Sequence, residues 1–514
     1  MRADALDQHE VPPLDGREAS PLDGREVPGA EALDQGEVRR PGTGEASQVD
    51  AREVPAGRVS RTARVGRLVA GQGLRWAGMQ TANRLRSPER ATAARHERTT
   101  ALVEELVEQL GRMRGAAMKV GQMLSMVEFE DVPEEQRREL QAKLAKLRDD
   151  IPPVPFARLE RLMRDELGGP LNRFFSDVDE RAFAAASIGQ VHRAVTVEGD
   201  EVVVKIQYPG VAEAVDTDLG NARLLLPLLR RLAPGLDTEA LFSELRERIG
   251  EELDYELEAQ SQRRVQRLLR GHPFIFVPRV HGELSTRRML VSDYVDGDRF
   301  DAVRELPQSQ RDRYGEIVFR FFFGLLYRDR IALGDPHPGN YLLRRDGSVA
   351  FLDYGLLRDV SARRIGAERE IASAVRDQDA GGLEAALVAG GYLPIDDAGA
   401  TDAEIVLRIM RRATGWYAVP GESRIPAGGP RHARRRDPVD PGRRAAAREQ
   451  VNRFTLPADA VLIRRMHGIV AMVLGQLRAR ADWGAIAAEY LHGGPPASEL
   501  GRSEAELFAR LRAA

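Results

Sequence analysis

The sequence predicts an α+β chain of two lobes, a small strand-rich one and then a large helical one, with a helical stretch in front of both. Three observations carry this. "FAAASIGQVHRAVTVEGDEVVVKIQYP" reads as two strands around a turn at Glu198–Gly199–Asp200. Before it, Leu102, Leu106, Leu110, Met113, Ala117, Val120 and Leu124 recur every three or four residues, which draws one buried helical stripe. After it the pattern is mostly helical, broken by short strands at "RRMLVSDYV" and "YLLRRDGSVAFLDYG".

Two more helices separate the stripe from the strands, "PEEQRRELQAKLAKLRDD" and "PFARLERLMRDELG". The front of the chain is different material. Residues 1–56 repeat degenerately ("LDQHEVPP", "LDGREASP", "LDGREVPG"), and Met1–Glu53 hold 13 acids against 6 bases. The first Phe, Tyr or Trp is Trp76. Such a tail buries too little apolar area to offset its ordering entropy, so disorder is expected. Residues 57–100 turn basic, with Arg58, Arg61, Arg64, Arg67, Arg75, Arg84 and Arg86 among small and apolar residues. That composition reads either as an amphipathic helix on an anionic membrane surface or as a solvated helix on the main domain. The helical extension then runs over 101–180, the strand-rich lobe with inserted helices over 181–300, and the helical lobe over 301–500. Within the last, the Pro/Gly/Arg-rich stretch 420–450 reads as a long mobile loop.

With 514 residues the chain has room for two or three domains, and it has no cysteine, which excludes disulfides and Cys-ligated metals. A net charge of −3 does not suggest a coat of nucleic acid, and no nucleic-acid partner is expected. No uninterrupted 18-residue apolar run occurs, and "AVLIRRMHGIVAMVLGQL" is broken by arginines, so no membrane-spanning helix is expected.

Several stretches have the composition of a site. Lys205 stands at the end of the apolar run in "EVVVKIQ", where an ammonium can reach a cleft and hold phosphate oxygens. Upstream, "AAASIGQVH" occupies the place of a nucleotide loop, although in isolation it is equally a plain hairpin. "EELDYELEA" puts Glu252, Asp254 and Glu258 on one predicted helix, with Glu258 and Asp254 sharing a face. A helical glutamate can pair with Lys205; a solvated acidic face is the alternative. In "GDPHPGNYLL", Asp335 and Asn340 flank a turn shaped by Pro336, Pro338 and Gly339, and the strand "SVAFLD" can deliver Asp353 beside them. Hard oxygens of this kind suit Mg²⁺, and Asp335 is the candidate base. His337 reads as part of the turn or the cleft wall.

Order adds what the single pieces lack. Small-residue loop, strand lysine, helix glutamate, Asp-x4-Asn and Asp-Tyr-Gly follow the protein-kinase order, so the expected fold is bilobal and protein-kinase-like. The departures are specific: a loop with little glycine, "DPHPGN" without a preceding His-Arg, "MKVGQM" ahead of the first strand, and "ELD" ahead of Glu258. Together they resemble the UbiB/AarF (ABC1/ADCK) family of atypical kinases, which includes the mitochondrial coenzyme-Q-supporting kinases. The resemblance covers about Leu102–Leu357.

The resemblance implies the following for this chain. Lys119 and Gln122 belong to an N-terminal helical extension over the active site, with Glu252 and Asp254 as its acidic partner. Ala184, Ala185, Ala186, Ser187 and Gly189 form the nucleotide loop. Lys205 and Glu258 make the strand–helix ion pair, Asn340 and Asp353 hold Mg²⁺, and Asp335 occupies the catalytic-loop position. ATP and Mg²⁺ are the implied cofactors. The implied role is an atypical kinase or ATPase supporting isoprenoid-quinone synthesis or lipid metabolism. Implied partners are a lipid or quinone precursor, an anionic membrane surface and quinone-biosynthesis enzymes, at a cytoplasmic or peripheral-membrane location. A nucleotide-binding pseudokinase scaffold and a small-molecule phosphotransferase are the competing readings.

Overall fold

The computed structural model describes residues 154–186, 188–232, 238–395, 401–426, 449–451 and 453–513. The tail 1–56, the basic segment 57–100, most of the extension 101–180, Lys119, Gln122, Ser187 and most of 420–450 lie outside them.

Helix α1 (Phe156–Leu167) precedes strands β1 (Phe175–Val178), β2 (Ala184–Ala185), β3 (Gly189–Thr196) and β4 (Glu201–Gln207). Helices α2 (Val211–Leu232), α3 (Thr238–Glu252) and α4 (Tyr255–Leu268) follow, then β5 (Ile275–Phe276) and β6 (Met289–Asp293). Pairing is antiparallel in the order β1-β3-β4-β6, with β2 on β3. The β3–β4 turn holds Gly199 at φ 91°, a left-handed conformation that suits glycine. Alternation along β4 sets the two faces. Val202, Val204 and Ile206 pack with Leu159, Leu162 and Met163 of α1, while Val203 and Lys205 point the other way, into a cleft. The sheet and its covering helix thus begin before the expected boundary at 181: β1 pairs with β3, and α1 closes the core.

The helical lobe comprises α5 (Phe300–Arg304), α6 (Gln308–Tyr327), α7 (Ala362–Asp377), α8 (Ala380–Ala389), α9 (Ala403–Ala418), α10 (Ala458–Leu477), α11 (Trp483–His492) and α12 (Glu499–Ala513). Short strands punctuate it: β7 (Ile331–Leu333), β8 (Tyr341–Leu343), β9 (Val349–Phe351), β10 (Leu357–Asp359), β11 (Ser423–Arg424) and β12 (Arg480–Ala481). β7 pairs with β10, β8 with β9, and β11 with β12, all antiparallel, and β5 adds to β9 in parallel. The lobe continues past the expected end at 500, because Glu504 of α12 bonds Arg320, which is buried at 0 % exposure in α6. Of the loop expected over 420–450, the first residues form β11 on β12.

The arginines do not break α10. By length and composition it could cross a membrane, yet just over half of its apolar window (56 %) is buried inside the lobe, as expected of a core helix. Arg464 is absorbed by an ion pair with Glu368 at 2.6 Å.

Candidate active site

A cleft of about 790 Å³ lies between the sheet and the helical lobe, within the range of small-molecule sites. Ala184, Ala185, Ala186, Lys205, Glu252, Glu258, Asp335, Asn340 and Asp353 all line it. Residues as far apart in sequence as Ala184 and Asp353 therefore share one space.

Lys205 Nζ donates to both carboxylate oxygens of Glu258, at 2.8 and 2.7 Å. Glu258 reaches it because Tyr255, Glu258, Ala259, Gln262 and Val265 form the buried stripe of α4. The Tyr255 ring centroid lies 4.9 Å from the ammonium. Burial opposes charge on Lys205, but Glu258, Tyr255 and Asp353 outweigh it and hold the ammonium above the usual lysine value. Burial pushes the Glu258 carboxyl up, Lys205 pulls it back, and the nearby Asp353 pushes it up again, so it ends raised.

The acidic stretch is not one helix. Glu252 ends α3, the chain turns at Leu253, and Asp254 caps α4, accepting from the backbone N–H of Glu256 (3.1 Å) and Leu257 (3.4 Å). Asp254 and Glu258 therefore do not share a helix face. An N-cap aspartate satisfies backbone donors that an uninterrupted helix would not leave open there. Asp254 also pairs with Arg287 at 3.4 Å and, unlike Glu252, is not among the cleft residues.

Gly189 departs from expectation too. It lies in β3, opposite Gln207, and a Cβ there would come within 2.1 Å of the Ile206 carbonyl oxygen. Its glycine lets β3 and β4 approach; it is not part of the loop that faces the cleft.

The Asp335 loop leaves buried β7 and returns into β8. Gly334 donates to the Leu356 carbonyl (2.8 Å), and a Cβ on it would meet the Leu356 and Leu462 side chains at 2.3 Å. The Asn340 side-chain N–H donates to the Asp335 carbonyl (3.2 Å), which leaves the amide oxygen as the acceptor available to a cation. Leu352 donates to the Asn340 carbonyl (2.9 Å), so the turn carrying Asn340 and the strand end carrying Asp353 are fixed to each other. Gly355 N–H donates to Asp353 Oδ1 (2.9 Å). Tyr354, in place of the commoner phenylalanine, is buried with its hydroxyl donating to the Phe351 carbonyl (2.8 Å). His337 is exposed at the cleft wall and accepts from Gly339 N–H through Nδ1 (3.1 Å).

These donors fit Mg²⁺ bound with nucleotide rather than a protein-only cage. Among the described residues no group of three His, Asp or Glu side chains converges on one point. One carboxylate and one amide oxygen beside an open cleft match a cation that keeps waters and takes phosphate oxygens.

Other cleft residues escaped the sequence reading. Arg465 of α10 reaches Asp335 at 3.8 Å. Tyr294, Gly297 and Arg299 line the junction between the lobes. Their sequence signals are a charge pair inside an apolar helix ("LIRRMHGIV") and a Gly/Asp turn after a strand ("DYVDGDRF"), and neither names a partner.

Residues 146–386 match the ABC1 atypical kinase-like domain. The chain belongs to the ABC1 (UbiB/AarF) family. It is 33% identical over 306 residues to the mitochondrial atypical kinase COQ8B of Danio rerio, spanning 59% of this chain and 48% of that one. It is 30% identical over 339 residues to the mitochondrial atypical kinase COQ8 of Saccharomyces cerevisiae, spanning 65% and 66%. These alignments thus span about half to two thirds of the relatives' own length. Among solved structures, a Mycobacterium tuberculosis protein in complex with erythromycin aligns with TM-score 0.57 and 28% identity, covering 79% of this chain and 98% of that one. The ABC1 match ends before α9, α10, α11 and α12, so Arg465 reaches the cleft from outside the matched domain. The two-lobed, kinase-like fold is the one expected from the order of motifs.

Proposed function

We propose that this ABC1 protein is an ATP- and Mg²⁺-dependent phosphotransferase or ATPase that serves isoprenoid-quinone synthesis or lipid metabolism. The observation that supports it is the Lys205–Glu258 ion pair, set in one cleft with Asp335, Asn340 and Asp353. Lys205 holds nucleotide phosphate oxygens and Glu258 fixes its direction. Asn340 and Asp353 hold the metal, which when bound neutralises charge on the phosphates. Asp335 orients the acceptor hydroxyl or water and takes its proton. Ala184, Ala185 and Ala186 cover the nucleotide with less backbone freedom than glycines give.

The quinone assignment rests on the COQ8 relatives and the family. The same proposal takes water or a small molecule as the phosphoryl acceptor, as the family motif at Lys119 and Gln122 implies. A peripheral membrane location belongs to the same proposal. The relatives are named as mitochondrial, and the basic segment 57–100 supplies charge for an anionic surface.

The test is ATP hydrolysis by the full chain, with and without anionic liposomes and quinone-precursor lipids, for the wild type and Asp353→Asn. The expected result is hydrolysis that lipid stimulates and that falls about 100-fold or more in the variant, in line with the loss of charge stabilisation at the reacting phosphate. Nucleotide bound without turnover in both proteins overturns the enzyme reading in favour of a scaffold. A second reading, macrolide binding, is favoured by the M. tuberculosis neighbour. Erythromycin titrated into the same protein decides it.

A further inference from the structure

The short link that follows Asp353 makes ion pairs with the two helices on either side of the α3–α4 turn. β10 sits between Gly355 and the start of α7 at Ala362, so the positions of β10 and Asp353 are mechanically linked. β10 is itself anchored, because its three residues pair with the buried Ile331, Ala332 and Leu333 of β7. From this anchor two side chains reach across. Arg358 donates to both carboxylate oxygens of Glu251, in the last turn of α3. Asp359 accepts a fork from Arg264 of α4, at 3.0 and 2.5 Å. Glu258 lies between the two attachment points, seven residues after Glu251 and six before Arg264.

We propose that Arg358 and Asp359 are positioning residues: they clasp the α3–α4 elbow and the body of α4 so that Glu258 stays on Lys205. The clasp couples the Asp353 loop to the lysine–glutamate pair, and it rests on the nucleotide-site reading above. A purely structural role predicts a different outcome. Arg358 is 39 % exposed and Glu251 21 %, Arg264 39 % and Asp359 72 %, and ion pairs at such exposure add little to global stability. Their effect is therefore expected in the placement of α4 rather than in the melting of the protein. The Arg264–Asp359 fork suits that task, since its two N–H···O bonds fix orientation as well as distance, while Arg358 shares one nitrogen, Nη2, between the two Glu251 oxygens.

Charge exchange tests it on the full chain. Arg358→Glu sets two like charges together; Glu251→Arg with Arg358→Glu restores the attraction reversed. Two readouts are used: amide hydrogen exchange over 255–268 without nucleotide, and the affinity for the non-hydrolysable analogue AMP-PNP with Mg²⁺ by calorimetry. Arg358→Glu is expected to speed exchange in α4 and to weaken the analogue by about 10-fold, the scale of one ion pair lost plus a repulsion gained, with the melting temperature nearly unchanged. The double variant is expected to return both readouts close to wild type. Unchanged exchange and affinity in Arg358→Glu, or no recovery in a folded double variant, overturns the clasp. Wild-type protein that binds no nucleotide overturns the nucleotide-site reading instead, and the exchange rates still decide whether β10 holds α4.

Discussion

Replacing Glu258 with Gln removes one charge and almost no volume at the centre of the cleft. Glu258 is 7 % exposed, and its partner's side chain is 24 % exposed. Removing one member of a fully buried pair costs about 3–5 kcal/mol, because the other charge is left stranded. Two features of this site reduce that figure. The Lys205 ammonium keeps partial access to solvent, an aromatic face at 4.9 Å and the Asp353 carboxylate nearby. Burial and Asp353 raise the Glu258 carboxyl, so burying its charge carries a cost that Gln relieves. The expected net loss is about 1–2 kcal/mol of unfolding free energy at pH 7.5. Nucleotide affinity should fall further, by about 10-fold or more, because Lys205 loses its bidentate holder and its direction. Urea unfolding and calorimetry with AMP-PNP and Mg²⁺ measure the two quantities. Affinity equal to wild type would refute the role given to the pair, and a loss above about 4 kcal/mol would show that it acts mainly in stability.

Other perturbations follow from the same contacts. Burial keeps His467 neutral well below the usual histidine range and lowers His272 as well, so the unfolded chain takes up protons below pH 6.5 that the folded chain refuses. Stability should therefore drop as pH falls from 7.5 to 5.5, by about 1.4 kcal/mol for each histidine that stays neutral, and His467→Gln should flatten the slope in urea titrations. Glu504 adds a lower window. Burial raises its carboxyl, but His272, Arg328, Tyr490 and Arg320 outweigh that and bring it down to about 2, so its contribution is present above pH 4.5 and is lost as pH falls toward 2. Arg320→Met takes the guanidinium from Glu316 and Glu489, while Glu504 keeps Arg328, and should cost about 3 kcal/mol in urea unfolding. Gly189→Ala forces a methyl against the Ile206 carbonyl and should cost about 3 kcal/mol or more, with a lower melting temperature even when nucleotide is absent.

Much of the site could be read before the fold was known, because the chemistry depends on residue types in a fixed order. "VVVKIQ", "DPHPGN" and "FLDYG" each put a charged or amide side chain at the edge of an apolar strand, and the structure lines one cleft with Lys205, Asp335, Asn340 and Asp353. "ELDYELEA" was legible only in part. Helical periodicity correctly predicted a helix at Glu258, but it could not show that the chain breaks at Leu253 and caps on Asp254. Capping is a competition between local side-chain and backbone hydrogen bonds, and an acidic run gives no sign of who wins it. Gly189 was misplaced for a related reason. A glycine in a small-residue loop and a glycine under a neighbouring strand look alike until the backbone of β4 lies against it.

The sequence by itself determined the two-lobed order, the family's departures from ordinary kinases, and which side chains carry charge near apolar strands. These are local properties: periodicity of two or of about 3.6, turn residues, and spacing along the chain. Tertiary structure alone decided which of the acids answers Lys205, that Arg465 arrives at Asp335 from a helix about 130 residues downstream, and that Arg358 pairs with Glu251 of α3 and Asp359 with Arg264 of α4. Those pairings join residues far apart in sequence. Their geometry is set by how buried faces pack, and packing is a property of the whole chain that no single stretch contains.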